Sequence, residues 1–354
     1  MVTYWIVFLL FSGMAFIEAR HSPDDRLSTP FFLGALLLAL FIGLRWQVGP
    51  DWEPYRDIFE NDRLNTFESF FRRGDPAFYV LIWCVRYIGG TIVLLNLICA
   101  SVFSYGLARF CASLSNRWLG IVVAMPYLVV VIAMSAVRQS VALGFIMVAL
   151  AGLGRKSLLH TVILALLGSL FHASAFIIAV LLVVSYSKNR LYAFIMLVIS
   201  VIAAYFLLLS TFDKLIVRYS AHTVQSGGVA FRLLMNAIPS AIFLLKGPSY
   251  FSLDRQGPFW RNISIFSIGL IPSLLLISSN TIIDRLSVYA IPVQLAVFAN
   301  LPAYTPDGRT QRLFPTFIIV AYSAVALAVY FNFGTFARFY VPYRLASLSD
   351  LFVS

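Results

Sequence analysis

A short polar segment follows the second apolar run of this chain and carries its most chemically suggestive residues. Arg45 comes directly after the apolar residues 31–44, Gly49-Pro50 interrupts the helix, and Asp51 follows. Because the chain turns at such a break, the guanidinium and the carboxylate can converge on one pocket at a membrane surface. A guanidinium binds phosphate oxygens bidentately, and a carboxylate can accept a proton. The segment therefore predicts a site for an anionic head group beside a base.

Three further arginines lie inside apolar segments or at the ends of such segments: Arg138, Arg232 and Arg285. An arginine at the centre of a membrane helix costs about 2.5–3.5 kcal/mol on insertion scales, so such residues usually have a partner or a task. The alternative for each is that it reaches the interface or pairs with a nearby acid, as Arg285 could with Asp284. We predict that Arg45, Arg138 and Arg232 bind a diphosphate together, with Arg285 as a further candidate.

Two side chains are candidate general bases, and two aromatic side chains are candidate sugar contacts. Asp51 is the first candidate to deprotonate an attacking hydroxyl, and His172, at the end of an apolar run, is the second. The alternatives are an ion pair between Asp51 and Arg45 and a structural histidine packed against a helix. Trp52 and Tyr55 can stack on sugar faces, although an interfacial aromatic belt is the commoner reason for such residues in membrane proteins.

Composition excludes an ordinary soluble domain. Hydrophobic residues make up 60% of the 354 residues, charged residues make up 12%, and the mean hydropathy is +0.88. The net charge of +11 comes from basic residues scattered through short loops and helix ends, without a continuous basic stripe. This distribution indicates membrane topology and anionic lipid-linked ligands rather than nucleic acid.

Apolar runs near the length that crosses a bilayer recur along the whole chain, so we predict an all-α fold. Residues 1–354 are expected to form one polytopic integral membrane domain of about 12 transmembrane helices. A periplasmic loop and a short interfacial or re-entrant helix, together residues 45–90, are predicted to follow the second helix. The predicted crossings are 2–19, 30–44, 91–110, 118–135, 139–154, 157–171, 173–187, 191–210, 231–246, 259–278, 285–301 and 313–332.

The short connections predict the orientation of the chain. If the loop after the first helix is cytoplasmic, every second connection carries lysine or arginine, whereas the turns near 171–172 and 279–280 carry neither. This positive-inside pattern places both termini in the periplasm and the protein in the bacterial inner membrane. The first run lacks a basic start and a small-x-small cleavage site, so we interpret it as a retained helix.

The sequence offers no pattern typical of a metal or cofactor site, and we predict neither. Cys84, Cys99 and Cys111 are widely spaced in apolar surroundings, which argues against a disulfide framework or a zinc site. The chain also lacks a phosphate-binding glycine loop, a Ser-His-Asp arrangement and an Asp-x-Asp motif. These absences favour a donor that is embedded in lipid over a cytoplasmic sugar nucleotide.

The polar segment resembles a signature of the EpsG-type family, the Wzy-like polymerases of bacterial exopolysaccharide and O-antigen. That signature reads Arg-x-x-Val-Gly-x-Asp-aromatic-x-x-Tyr, and this chain departs from the usual pattern at Pro50 and Trp52. Three further stretches look similar to family features, and they add Gln139, Tyr289 and Arg344 to the predicted substrate-binding residues. These stretches are Arg138-Gln139 with Phe171-His172-Ala173-Ser174-Ala175, Arg285-x-x-x-Tyr289, and Pro342-Tyr343-Arg344.

The resemblance implies a metal-independent membrane glycosyltransferase that needs no cofactor. Such an enzyme joins undecaprenyl-diphosphate-linked oligosaccharide repeat units on the periplasmic face of the inner membrane. A sugar hydroxyl of one lipid-linked unit attacks the anomeric carbon of a growing chain and releases undecaprenyl diphosphate. The implied partners are this lipid-linked oligosaccharide, membrane lipids, and the chain-length regulator and flippase of the same pathway.

Three alternatives remain open from the sequence. A flippase or transporter of lipid-linked saccharide would also need arginines and many helices, but its charged residues would follow a path through the full membrane depth. An O-antigen ligase would use the same donor with a different acceptor, and it usually carries a large late loop. A non-enzymatic scaffold of a polysaccharide assembly complex is the third alternative.

Overall fold

The computed structural model describes residues 1–20, 29–61, 70, 74–186, 228–251, 253, 256–276, 280–304 and 308–352. Within these ranges the chain is helical, and its β-structure is limited to two isolated antiparallel bridges. The helices, numbered in chain order, are α1 (Val2–Arg20), α2 (Thr29–Gly43), α3 (Trp52–Asn61), α4 (Pro76–Tyr87), α5 (Ile92–Cys111), α6 (Arg117–Ala124, continued by a π-helix, Met125–Ala133), α7 (Val137–Ala151), α8 (Leu158–Phe171), α9 (Phe176–Tyr186), α10 (Val229–Lys246), α11 (Gly257–Leu276), α12 (Asn280–Ser287), α13 (Ile291–Asn300) and α14 (Gly308–Phe333).

The all-α prediction is confirmed for the described part of the chain, and the positions of the helices agree with the apolar runs. Eleven of the twelve predicted crossings coincide with a helix, and the twelfth, 191–210, lies outside the described residues. Among the described residues, five helical segments are long and apolar enough to cross a membrane, and further apolar helices have only 10–17 residues. A membrane protein is therefore supported, while the number of crossings stays a prediction. The five long segments are Val2–Arg20, Ile92–Cys111, Val229–Lys246, Asn280–Tyr304 and Gln311–Phe333.

Contacts at the two ends of α1 define two opposite ends of the helical bundle. Near the start of α1, the hydroxyl of Tyr4 donates a hydrogen bond of 2.9 Å to the carbonyl of Tyr340. Near its end, Glu18 forms a buried ion pair of 2.5 Å with Arg117, at the start of α6. We call these the upper end and the lower end. The first and last described segments of the chain thus meet at the upper end.

Basic residues occur in the connections at the lower end. Arg20 ends α1 there, and Arg155 and Lys156 follow α7, whose upper end is at Val137. The Leu153 carbonyl accepts a hydrogen bond of 2.8 Å from Gln256, which joins two of these connections. This arrangement agrees with the predicted alternation of basic connections, and the side of the membrane that each end faces stays a prediction.

A close contact between two helices sets the position of α7, which carries a predicted site residue in its first turn. Gly106 of α5 and Gly144 of α7 face each other, and a Cβ atom on Gly106 would overlap the backbone of Gly144. Small residues allow membrane helices to approach closely enough for backbone contact. The pair therefore holds α7 firmly against α5.

Candidate functional site

The polar loop of residues 45–51 lies between two other segments at the upper end. On one side, the Trp46 N–H donates a hydrogen bond to the Arg344 carbonyl and the Gly49 N–H donates one to the Phe339 carbonyl, both at 2.9 Å. On the other side, Gly49 packs against the backbone of Met134, in the turn that follows the π-helix. The loop is thus fixed by segments that are distant in sequence.

Arg45 is a buried structural centre of this loop. Its side chain is 2% exposed, and its guanidinium donates hydrogen bonds to the carbonyls of Met134 at 3.0 Å and Ile42 at 2.7 Å. A third hydrogen bond of 3.3 Å reaches the Asn96 side chain of α5. Arg45 and Asp51 lie on the same loop, but the described contacts include no ion pair between their side chains. A buried arginine needs such acceptors, and here backbone carbonyls supply most of them.

Asp51 lies on the same loop and contacts the turn next to Met134. Its carboxylate accepts a hydrogen bond of 2.8 Å from the Ser135 hydroxyl. The turn ends the π-helix Met125–Ala133, and π-helical segments occur frequently at functional sites because they displace side chains from the regular α register. The π-helix thereby brings Ser135 to the loop and starts α7 beside it.

Arg138, in the first turn of α7, lies in a cluster of polar and aromatic side chains. Its Nη1 is 2.9 Å from Oδ2 of Asp75, and its Nε donates a weaker hydrogen bond of 3.3 Å to the Tyr55 hydroxyl. The guanidinium carbon is 5.7 Å from the centre of the Tyr55 ring and 5.8 Å from that of Phe78. Its side chain remains 29% exposed, so it can reach a ligand.

Asp75 joins this cluster to a third part of the chain. It precedes Pro76 of α4 in a left-handed conformation with φ of 53°. Its Oδ1 accepts a hydrogen bond of 3.0 Å from the Ala173 N–H, and Nδ1 of His172 lies 3.6 Å from its Oδ2. Neither ring nitrogen of His172 has a hydrogen-bond partner among the described residues. We call Arg138, Asp75 and His172 the Arg138 cluster.

The surroundings of Asp75 favour its ionised form. Burial opposes ionisation, but the His172 imidazole, the Arg138 guanidinium and the Ala173 N–H together lower the pKa of Asp75 below its ordinary value of 3.8. A carboxylate that stays charged next to a guanidinium keeps the cluster assembled at neutral pH.

This lowered pKa predicts how the stability of the protein depends on pH. The pKa is lower in the folded state than in the unfolded state, so the ionised carboxylate stabilises the fold above the unfolded value. That stabilisation is lost as the pH falls through the folded value. We expect Asp75→Asn to lower the melting temperature by an amount that is constant from about pH 7 to about pH 5 and shrinks only below about pH 4.

Melting curves of the purified protein in detergent would test this expectation, with Asp57→Asn as the control. Asp57 is exposed on α3, so its replacement should change the melting temperature little at any pH. A difference for Asp75→Asn that already shrinks between about pH 7 and about pH 6 would contradict the assignment.

A second ion pair, between Arg232 and Asp284, joins α10 and α12. Nε and Nη2 of Arg232 contact the two carboxylate oxygens of Asp284 at 2.6 and 2.8 Å, which is the bidentate geometry typical of arginine. The Tyr127 hydroxyl of the π-helix donates a hydrogen bond of 3.4 Å to Asp284. Asp284 therefore pairs with Arg232, and the side chain of the neighbouring Arg285 is exposed.

The three predicted diphosphate-binding arginines thus have different surroundings. Arg45 is enclosed by backbone carbonyls, whereas Arg138 and Arg232 each lie against a carboxylate and keep part of their side chains exposed. None of the contacts described above is shared by two of these guanidinium groups. Which of them binds a ligand stays a prediction.

The remaining predicted substrate-binding residues lie around these two clusters. Gln139 donates a hydrogen bond of 2.9 Å to the Arg285 carbonyl, and Tyr289 is fully buried with its hydroxyl 3.4 Å from that of Ser174. Arg344 is exposed and donates a hydrogen bond of 3.2 Å to the Gln47 side chain. Gln139 and Tyr289 therefore hold neighbouring segments together, whereas Arg285 and Arg344 are accessible.

The two predicted sugar-stacking residues differ in accessibility. Trp52 is 4% exposed and packs against Trp46 and the Arg45 guanidinium, so it lies beneath the loop. Tyr55 is partly exposed and contacts Arg138. Of these two aromatic side chains, Tyr55 is the one that borders the Arg138 cluster.

Sequence reasoning did not select the two carboxylates that pair with the arginines. Asp75 is one of five acids in the loop between residues 56 and 75, and the sequence alone favours Asp284 as a partner of its neighbour Arg285. The signal that could have identified Asp75 is its position directly before Pro76, at the start of an apolar helix. Several other charged residues of that loop, Asp62, Arg63, Glu68, Arg72 and Arg73, lie outside the described residues. Within the described part, no group of three His, Cys, Asp or Glu side chains could hold a metal ion.

Comparison with known proteins identifies one family. The model of the EpsG family matches residues 28–345, which include both arginine–carboxylate pairs and the polar loop. No curated protein and no solved structure matches this chain.

Proposed function

The chain belongs to the EpsG family, and we propose that it joins lipid-diphosphate-linked oligosaccharide repeat units into exopolysaccharide or O-antigen. Family membership points to a polysaccharide polymerase-type membrane protein. The proposal adds the substrate, undecaprenyl-diphosphate-linked oligosaccharide, and the location, the periplasmic face of the inner membrane. The observation that carries it is the Arg138 cluster, in which a cation, a carboxylate and an imidazole meet at one end of an apolar bundle.

The proposed reaction needs a base for one sugar and a cation for the other. The acceptor hydroxyl attacks the anomeric carbon of the donor, and a new C–O bond forms as the bond to the diphosphate oxygen breaks. The hydroxyl proton passes to the base, and the electron pair of the broken bond leaves with the diphosphate. Because diphosphate is already a good leaving group, a guanidinium that stabilises its charge contributes much of the rate enhancement.

Within this scheme we assign His172 as the base and Arg138 as the diphosphate ligand. Both ring nitrogens are buried without a hydrogen-bond partner in the described structure, so a substrate hydroxyl must enter the cluster to reach them. Asp75 lies 3.6 Å from Nδ1, where a carboxylate can orient an imidazole and stabilise its protonated form. Asp51 remains the alternative base, although its carboxylate already accepts a hydrogen bond from Ser135. Arg45 is assigned a positioning role because its donors are used within the fold.

Reconstitution with a defined substrate would test this function directly. Purified protein in liposomes, supplied with undecaprenyl-diphosphate-linked repeat units, should form polymers of many units and release undecaprenyl diphosphate in equal number to the bonds formed. His172→Gln should lower the initial rate about 100-fold, whereas Asp51→Asn should lower it less than tenfold. The reverse order would transfer the role of base to Asp51.

The same experiment separates the alternative functions. A flippase would move the lipid-linked unit between leaflets without changing its length, and a scaffold would do neither. Single repeat units that remain unchanged beside folded wild-type protein would therefore contradict a polymerase that acts by itself. Gel analysis of the sugars and thin-layer analysis of the lipids supply both readouts.

A further inference from the structure

The Arg138 cluster has little net positive charge of its own. The charge of Arg138 is balanced by the carboxylate of Asp75 at 2.9 Å, and the His172 imidazole adds a charge only when it is protonated. A diphosphate that joins a lipid to a sugar is negatively charged on both phosphates, so it needs more cationic charge than one compensated guanidinium supplies. A second cation beside Arg138 would provide that charge.

Arg285 is an exposed cation that the fold brings next to this cluster from another helix. It lies in α12, and its carbonyl accepts the hydrogen bond of 2.9 Å from Gln139, the residue that follows Arg138 in α7. The last turn of α12 therefore packs against the first turn of α7. Within the described part of the chain, the carboxylate next to Arg285 is paired with a different arginine, so the charge of Arg285 is available to a ligand.

The buried Tyr289 indicates which side of α12 carries the Arg285 guanidinium. The Tyr289 hydroxyl is 3.4 Å from that of Ser174, and it lies close enough to the Asp75 carboxylate and the Arg285 guanidinium for both charges to act on it. Side chains four residues apart lie near each other along a helix, as those of Arg285 and Tyr289 do. The Arg285 side chain is therefore on the side of α12 that faces the Arg138 cluster.

Contacts with α10 set the rotation of α12 about its axis. Arg232 of α10 binds both carboxylate oxygens of Asp284, at 2.6 and 2.8 Å. One turn further along, the Asn236 side chain donates a hydrogen bond of 2.9 Å to the Ser287 carbonyl. These two contacts direct Asp284 toward α10, and they keep its carboxylate from neutralising the neighbouring Arg285.

We propose that Arg138 and Arg285 bind one diphosphate group together, and that Arg232 is a positioning residue that holds Asp284 away from Arg285. This assignment rests on the proposed function and adds a second ligand for its lipid diphosphate. Guanidinium groups from two helices can each bind one of the two phosphates bidentately. Arg45 does not fit this role, because its side chain is buried and contacts backbone carbonyls.

Binding of inorganic diphosphate to the purified protein in detergent tests the assignment without turnover. Calorimetric titration should show one diphosphate per chain, and Arg138→Gln and Arg285→Gln should each weaken it at least about tenfold. The control, Arg338→Gln, removes an exposed arginine from the same end of the bundle and should weaken it less than about twofold. Two diphosphates per chain, or an unchanged affinity in Arg285→Gln, would overturn the assignment.

The positioning role of Arg232 has its own readout, because its removal releases the carboxylate beside Arg285. Arg232→Ala should weaken inorganic diphosphate at least about fivefold, since Asp284 can then pair with Arg285 or repel the ligand. Adding Asp284→Asn should restore the affinity to within about twofold of the unaltered protein, because asparagine has no charge. An affinity that stays low in the double variant would contradict the positioning role.

Chemical modification of the unaltered protein covers the case in which a variant does not fold. Phenylglyoxal reacts with accessible arginines, and both inorganic diphosphate and farnesyl diphosphate should protect Arg138 and Arg285 but not Arg338, as measured by mass spectrometry of the peptides. Modification of Arg285 that neither ligand reduces, or that only inorganic diphosphate reduces, would exclude a shared site for a lipid diphosphate. Protection of both arginines in a protein that forms no polymer would support the site while contradicting the polymerase function.

Discussion

Arg138→Ala should lower the rate of polymer formation about 1000-fold while leaving folded protein in the membrane. The guanidinium is the partly exposed cation of the Arg138 cluster, and it can stabilise charge that develops on the leaving diphosphate. Its removal also leaves Asp75, whose side chain is 11% exposed, without its cation, at a cost of about 2–3 kcal/mol of stability. The rate would be measured with purified protein and lipid-linked repeat units.

A double variant separates the loss of stability from the loss of activity. In Arg138→Ala/Asp75→Asn the uncompensated charge is gone, and asparagine keeps an acceptor for the Ala173 N–H and tolerates the left-handed backbone. Most of the lost stability should therefore return while the rate stays low. Arg56→Ala is the matched control, because Arg56 pairs with Glu53 and Glu60 on the surface of α3 and should affect both measurements little. Full-length polymer from Arg138→Ala at normal protein level would exclude Arg138 from the reaction.

Gly49→Ala should destabilise the whole upper end and abolish activity with it. Gly49 has φ of 99°, and a Cβ atom there would overlap the carbonyl oxygen of Met134. That carbonyl is the acceptor for Arg45, and the adjacent Ser135 donates to Asp51, so displacement of the loop breaks both contacts. We expect a loss of about 3 kcal/mol or more, seen as a large fall in melting temperature and in the yield of folded protein.

Gly89→Ala isolates the contribution of the overlap. Gly89 also has a positive φ, of 72°, but no atom lies within 4 Å of the position that its Cβ would take. Its replacement should therefore lower the free energy of unfolding by only about 1–2 kcal/mol, which is the cost of placing an alanine in the left-handed conformation. If the two alanine variants melt at the same temperature, the close packing of the loop against Met134 does not stabilise the protein.

The helices of this chain could be predicted from its sequence because hydropathy is a local property. An apolar run must be helical to satisfy its backbone hydrogen bonds in lipid, whatever its neighbours are. The predicted runs agree with the described helices to within a few residues, including the short α4 (Pro76–Tyr87) after the polar loop. The short apolar runs made the number of crossings uncertain, because length alone does not separate a short span from a helix buried in the bundle.

The partners of the arginines could not be predicted from the sequence. Sequence proximity suggested Arg45 with Asp51 and Asp284 with Arg285, whereas the structure pairs Arg138 with Asp75 and Arg232 with Asp284. Neither pair lies within one helix, since Arg138 and Asp75 are 63 residues apart and Arg232 and Asp284 are 52 apart. Pairing over such separations depends on how the helices pack, which hydropathy does not encode.

The residue types alone determined that the described part of this chain is helical and suited to a membrane, with arginines and acids near the ends of its helices. The tertiary structure decided which of these charges are accessible and which serve the fold. The N–H donors of a guanidinium in an apolar bundle must be satisfied by whichever acceptors packing brings within about 3 Å. For Arg45 these are carbonyls and an amide, and for Arg138 they include a carboxylate beside a histidine.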